Sequence, residues 1–257
     1  MAQTPPRVGL ALGGGVARGM AHVGVLAVLT EAGIPIHAVS GTSAGALVGA
    51  LYCAGLTVAE IEYVASKIRW RDVARPVWSR RGVVSFAGIE EMLVALLGDL
   101  TFDKLERPLA AVTCDIQTGE EVVLTQGRVA AAVRASASVP GIVTPRCIGG
   151  RLLGDGGIVN NLPASAVRAL GADYVIGVDI FEPAFNRGWG PLGLLLTSLE
   201  LLVSRIGGGE KESDCLIRPA LGGISYLLLT DRERLMQRGR EAAEAALPRL
   251  QDVLRAG

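Results

Sequence analysis

Short, wholly apolar runs alternate along this chain with longer stretches in which apolar residues recur every three or four positions. Val8 to Leu12 predicts a short buried strand. Gly13-Gly14-Gly15 turns it into a helix over about Val16 to Ala32, ended by Gly33 and Pro35. Ile36 to Ser40 predicts a second strand and Ala44 to Ala54 a second helix. Thr57 and Glu60 have capping-box spacing for a helix through Lys67. Residues 68–87 carry neither period and read as irregular. Helix is predicted again over Ile89 to Leu97. Leu109 to Ile116 reads as strand, Gln117-Thr118-Gly119 as turn and Glu121 to Thr125 as hairpin partner. Arg128 to Ser136 reads as helix. Leu152-Leu153 is a short strand delivering Asp155-Gly156-Gly157. Then follow helix (Ala164 to Leu170), apolar strand (Tyr174 to Ile180), helix (Leu192 to Ile206), strand (Cys215 to Arg218) and a closing helix (Asp231 to Leu254).

Strands without a polar face belong in a parallel sheet covered on both sides. Their alternation with helices predicts an α/β fold, a parallel-rich central sheet with helices on both faces. There is no internal repeat and no clear boundary, so residues 1–257 read as one domain. The loop Gly207-Gly208-Gly209 is the most flexible candidate linker.

Half of the residues are hydrophobic and only 4% aromatic, a palette of small residues for close helix-on-sheet packing. The 25 basic and 25 acidic residues balance, so bulk charge argues against nucleic acid as a partner. Cys53, Cys114, Cys147 and Cys215 are widely spaced among apolar neighbours. With no C-x-x-C and only two histidines, they read as reduced core residues, not metal ligands or disulfides. Met1 to Arg7 lacks the pattern of a signal peptide, and no apolar run reaches the length of a membrane span. The expectation is a cytoplasmic protein, peripheral at the inner membrane surface if it meets a membrane.

Gly41-Thr42-Ser43-Ala44-Gly45 has the G-x-S-x-G form of a nucleophile elbow, a strand-to-helix turn that exposes a serine hydroxyl. Gly41 and Gly45 relieve crowding either side of a strained serine. Such a serine normally gives its proton to a histidine. His22 lies two turns into a predicted helix, and His37 precedes Ser43 on its own strand. No histidine follows, so either the motif is an accident or another residue is the base.

Gly13-Gly14-Gly15-Val16-Ala17-Arg18-Gly19 leaves a strand and opens a helix, a setting in which backbone N–H groups hold an anion. A dinucleotide fingerprint would need Gly where Arg18 stands, and a P-loop would need G-K-[ST]. The remaining reading is an oxyanion hole for acyl transfer. Asp155-Gly156-Gly157 places an acid at a strand end before two glycines. Alone that is a turn or cap.

Together the three blocks resemble the patatin-like phospholipase family, whose signature is G-G-G-x-[RK]-G, then G-x-S-x-G, then D-G-[AG]. Ala135-Ser136-Ala137-Ser138-Val139-Pro140-Gly141, Asp155 to Asp179 and Ile217 to Ser225 also read like bacterial members. Val143-Thr144-Pro145 departs from the family, where many members carry an aromatic and two prolines. The resemblance implies a Ser-Asp dyad, with Ser43 as nucleophile and Asp155 as base. It implies an oxyanion hole from Gly13, Gly14 and Gly15. Arg18 would fix the loop through a salt bridge, supported by Gly19, Gly41, Gly45, Gly156 and Gly157. It implies a lipid substrate, phospholipid or lysophospholipid, with no metal and no cofactor. The alternatives are an acyltransferase or small-ester carboxylesterase on the same residues, and a binding or scaffold module without turnover.

Two surface features remain. Leu192, Leu195, Leu196, Leu199, Leu202, Val203 and Ile206 form a helical stripe, either core-facing or a lipid-facing lid. Lys67, Arg69, Arg71, Arg75, Arg80 and Arg81 cluster around Trp70 and Trp78 with Asp72 as the sole acid. The cluster is either a solvated loop or a contact with an anionic membrane surface.

Overall fold

The computed structural model describes residues 6–182, 190–226 and 229–256. The chain runs β1 (Val8–Leu12), a 3-10 turn (Val16–Gly19), α1 (Met20–Glu31), β2 (Ile36–Thr42), α2 (Ala44–Cys53), α3 (Val58–Lys67) and α4 (Trp70–Val73). It continues with β3 (Arg75–Ser79), β4 (Gly82–Ser85), α5 (Ala87–Leu97), β5 (Leu109–Asp115), β6 (Glu121–Leu124), α6 (Val129–Ser136), β7 (Arg146–Ile148) and β8 (Arg151–Asp155). Last come α7 (Ala164–Ala169), β9 (Tyr174–Val178), α8 (Gly190–Val203), α9 (Gly209–Glu212), β10 (Cys215–Ile217) and α10 (Arg232–Ala256). The expected capping box of α3 is present: Glu60 N–H donates to Thr57 Oγ1, and Thr57 N–H to Glu60 Oε2.

The main sheet has the order β10-β9-β1-β2-β5-β8-β7, with β6 also on β5. From β10 to β5 all neighbours are parallel, while β6 and β8 join β5 antiparallel and β7 joins β8 antiparallel. Both faces are covered. Val8, Leu10 and Leu12 point into the large core with α1, α2 and α10, while Ala11 packs with Ala164 and Val167 of α7. The period of two along β1 thus supplies both layers.

The register of β5 fixes the place of the site. Ala111 and Val112 pair with both β2 and β6, and Thr113 and Cys114 with both β6 and β8. A strand has two edges, so β2 and β8 share one of them, in succession. They run toward each other along it. Thr42, the end of β2, lies opposite Val112, and Asp155, the end of β8, lies opposite Thr113.

Residues 68–87, read as irregular, instead hold α4 and a hairpin of β3 and β4. Its connection is Arg80-Arg81, which lacks the Asn-Gly or Asp-Gly chemistry that marks tight hairpins in a sequence. Strand β7 is a second addition, paired only with the edge of β8. Cys53, Cys114 and Cys215 are buried as expected, but Cys147 on that edge strand is exposed. Leu192, Leu195, Leu196 and Leu199 of the stripe have side chains outside the described residues. Leu194 and Leu202 on the same helix are exposed.

Candidate active site

Ser43 sits in the turn between β2 and α2 at φ 54° and ψ −117°, a conformation that costs about 1–3 kcal/mol for a residue with a Cβ. Its neighbours hold it there. Ser43 N–H donates to Ser136 Oγ at 2.8 Å, and that hydroxyl donates onward to Val112 O at 2.6 Å. Ser136 thereby ties the elbow to β5. Thr42 Oγ1 donates to Asn160 O at 2.9 Å. A Cβ at Gly41 would lie 2.5 Å from the Ala46 nitrogen, and one at Gly45 would lie 2.1 Å from Leu12 O. Any larger residue at either position would open the turn.

Asp155 is anchored on the same edge. Its N–H donates to Ser138 O at 2.8 Å, and its Oδ1 accepts the Gly157 N–H at 2.8 Å. The Ser43 side chain is near enough to favour the ionised form of its carboxylate. Burial pushes the carboxyl up to about 6, against the Gly157 N–H and the nearby Ser43 side chain, which favour the ionised form. A Cβ at Gly156 would meet Val112 O at 2.5 Å, so the strand end lies flat on β5.

The glycine loop completes the cluster. A Cβ at Gly14 would lie 3.4 Å from Ser43 Cβ, and Gly19 packs against Ala44. Two of the loop's amides are already used. Gly13 N–H donates to Val178 O at 3.0 Å and Gly14 N–H to Asn161 O at 3.2 Å. Gly15 N–H finds no acceptor among the described residues. The same holds for Ala44 N–H at the start of α2, where a helix leaves its first amides unpaired.

His22 is fully buried and its Nε2 lies 2.7 Å from Gly13 O. Burial lowers it to about 4, so at neutral pH it is uncharged and Nε2–H is the donor. It braces the loop from below, a role beyond the helix packing expected of it. Arg18 is also buried, but no salt bridge holds it among the described residues. Its guanidinium donates to Glu182 O at 2.7 Å and Ile224 O at 2.8 Å, and stacks 3.7 Å over the Tyr226 ring. Backbone carbonyls and an aromatic face replace the expected carboxylate. His37 is exposed at the opposite end of β2 from Ser43, beside Asp173.

The motifs therefore converge on one point of the sheet. The model of the patatin-like phospholipase family matches residues 10–168. This chain belongs to the patatin-like phospholipase family. An uncharacterised NTE family protein of Mycobacterium tuberculosis is 37% identical over 178 residues, which is 68% of this chain and 49% of that protein. A second from the same organism is 30% identical across 96% of this chain and 48% of its own length. Neuropathy target esterase of Drosophila melanogaster is 37% identical over 67% of this chain and 13% of its own. This chain thus spans about half the length of the mycobacterial relatives. Among solved structures, VipD of Legionella pneumophila superposes with TM-score 0.60 at 14% identity, over 95% of this chain and 67% of that one. The ExoU–SpcU complex of Pseudomonas aeruginosa gives 0.52 at 16% identity, over 98% and 53%. These likenesses show a patatin-like fold.

In this patatin-like fold a cavity of about 780 Å³ reaches Asn161, though the cluster of Ser43, Asp155 and the glycine loop does not line it. Asn161 joins the two, since its Oδ1 would lie 2.6 Å from a Cβ at Gly14 and 3.1 Å from one at Gly157. Leu162, Ile180 and Phe181 line the cavity with Asp179, Lys211 and Arg218, so its wall is part apolar and part charged. Asn161, Ser136 and Ser138 were given no role in the sequence. Their signal was polarity: each is a buried polar side chain within a segment otherwise built of small and apolar residues. No helix among the described residues is long and apolar enough to cross a membrane.

Proposed function

We propose that this protein hydrolyses acyl esters of phospholipids or lysophospholipids through an acyl-Ser43 intermediate, with Asp155 as the base. The observation that carries this reading is the approach of the elbow serine and a buried carboxylate, which follow and end β2 and β8 at adjacent positions of β5. Asp155 takes the hydroxyl proton as Ser43 Oγ attacks the ester carbonyl. Gly15 N–H and Ala44 N–H, unpaired among the described residues, would meet the developing oxyanion, while Gly13 and Gly14 shape the wall of that hole. As the tetrahedral intermediate collapses, Asp155 returns the proton to the departing alcohol. Water then attacks the acyl-serine, Asp155 takes its proton, and the fatty acid leaves as Ser43 Oγ is reprotonated.

A carboxyl at about 6 is ionised at neutral pH yet much closer to the working pH than a free aspartate, which makes it a better base. An acyltransferase would use the same first half and an alcohol in place of water. Products of purified protein on a lipid panel, read by mass spectrometry, test the reading. Free fatty acid should appear with the wild type and be absent with Ser43→Ala, which should also resist a fluorophosphonate probe. Labelling without fatty-acid release from any lipid would overturn the substrate class.

A further inference from the structure

The β3–β4 hairpin sorts the basic cluster into two groups. Trp70 stacks on Phe86, and Arg75 pairs with Glu91 at 2.5 Å, so both are spent inside the protein. The others face outward. Trp78 is fully exposed, Val83 is 63% exposed and the adjoining Ile142 is 45% exposed. Ile142 belongs to this surface because its carbonyl accepts the N–H groups of Val83 and Val84. Arg69, Arg80 and Arg81 are exposed and form no ion pair among the described residues, and Arg71 meets only its neighbour Asp72, at 3.7 Å. A chain of zero net charge thus places the unpaired Arg80 and Arg81 on the same hairpin as exposed Trp78 and Val83, with exposed Ile142 adjoining.

We propose that this hairpin, with Ile142, docks the protein on a membrane surface bearing anionic headgroups. The choice of a lipid surface rests on the lipid-hydrolase reading. Trp78 would enter the interface, where an apolar ring with a polar N–H is most at home, while Arg80 and Arg81 meet the headgroups. The surface is coupled to the site through backbone. Ser138 O holds the Asp155 N–H, residues 139–141 follow directly, and Ile142 O then holds β4. Docking would bring lipid to the segment that also braces the backbone of Asp155.

The test is vesicle sedimentation with the Ser43→Ala protein, which leaves the lipid intact. The vesicles are phosphatidylcholine alone, or equal parts phosphatidylcholine and phosphatidylglycerol. Binding to the anionic vesicles should be at least about tenfold tighter and should weaken with salt. Arg80→Gln with Arg81→Gln should cost about thirtyfold there, about fivefold for each charge near the surface. Trp78→Ala should cost about tenfold. Brominated lipid should quench tryptophan fluorescence, and Trp78→Phe should remove that quenching. Equal binding to both vesicle types, or variants that bind like the parent, would overturn the proposal. Docking without lipid hydrolysis by the wild-type chain would instead sink the hydrolase reading alone.

Discussion

Ser43 and Trp78 stand in opposite environments. Ser43 is 7% exposed, in a strained backbone conformation, and fixed by its hydrogen bond to Ser136. Trp78 is fully exposed on a two-stranded hairpin. The first region holds two costs to stability, a serine at positive φ and a carboxylate buried away from water. The second holds none. A site built for chemistry should therefore lose activity and gain stability when simplified. A surface built for contact should change in neither respect when probed away from membranes.

The largest expected effect sets the two apart on a soluble short-chain ester. Ser43→Ala and Asp155→Asn should each lower kcat/KM on the order of 10⁴-fold, since the two groups act as a unit. Arg80→Gln with Arg81→Gln should stay within about twofold. Comparable losses in both would erase the distinction.

The pH profile sharpens the same contrast. If Asp155 is the base, kcat/KM follows its ionised form. It should fall about tenfold per unit below about 6, and level off above it. His22 lies too low, at about 4, to supply that inflection. His22→Gln should leave the midpoint in place, with some loss of rate from a loosened Gly13. A midpoint that moved with His22→Gln would transfer the role of base to the histidine.

How much was legible follows the same division. Gly41 and Gly45 are visible in the sequence because crowding at 2.5 and 2.1 Å tolerates only glycine, and such a requirement leaves a fixed residue behind. The helices were legible through caps and period, as with Thr57 and Glu60. A pairing of Ser43 with Asp155 is suggested in the sequence only by resemblance. Their meeting depends on β2 and β8 sharing one edge of β5, a register that no local pattern encodes. The partner of Arg18 was misjudged because carbonyls from distant loops leave no residue-type signature. The hairpin was missed because Arg80-Arg81 is not turn chemistry, and its short strands carry no alternation of burial.

A smaller effect lies in stability against pH, where the buried site holds two opposed groups. Asp155 is raised to about 6, so it favours folding below the unfolded value of 3.8, and this contribution is lost as pH rises toward 6. His22 is lowered to about 4, so it favours folding above the unfolded value of 6.5, and this contribution is lost as pH falls toward 4. Between about 4 and 6 the two slopes cancel. Asp155→Asn should expose the histidine slope. Relative to wild type, its unfolding free energy should rise by about 1.4 kcal/mol per pH unit across that window, roughly 3 kcal/mol in all. A difference that stays flat with pH would mean that Asp155 folds at its ordinary value.

The smallest effect tests strain directly, by its sign. Ser43→Ala and Ser43→Gly both lose the hydroxyl, so comparing them isolates the Cβ at φ 54°. Glycine accepts that conformation without strain, worth about 1–3 kcal/mol, but loses roughly 0.5–1 kcal/mol more backbone entropy on folding. The glycine variant should therefore be the more stable by about 1 kcal/mol, which in a chain of this size moves Tm by about 2–4 °C. Arg80 in the hairpin is the counterpart. Among the described residues, positive φ without glycine occurs only at Val16 and Ser43. At Arg80 the entropy cost has nothing to offset it, and glycine should be less stable than alanine by up to about 1 kcal/mol. The glycine-minus-alanine difference should thus change sign between the elbow and the hairpin, and the same sign at both would mean that the elbow stores no strain.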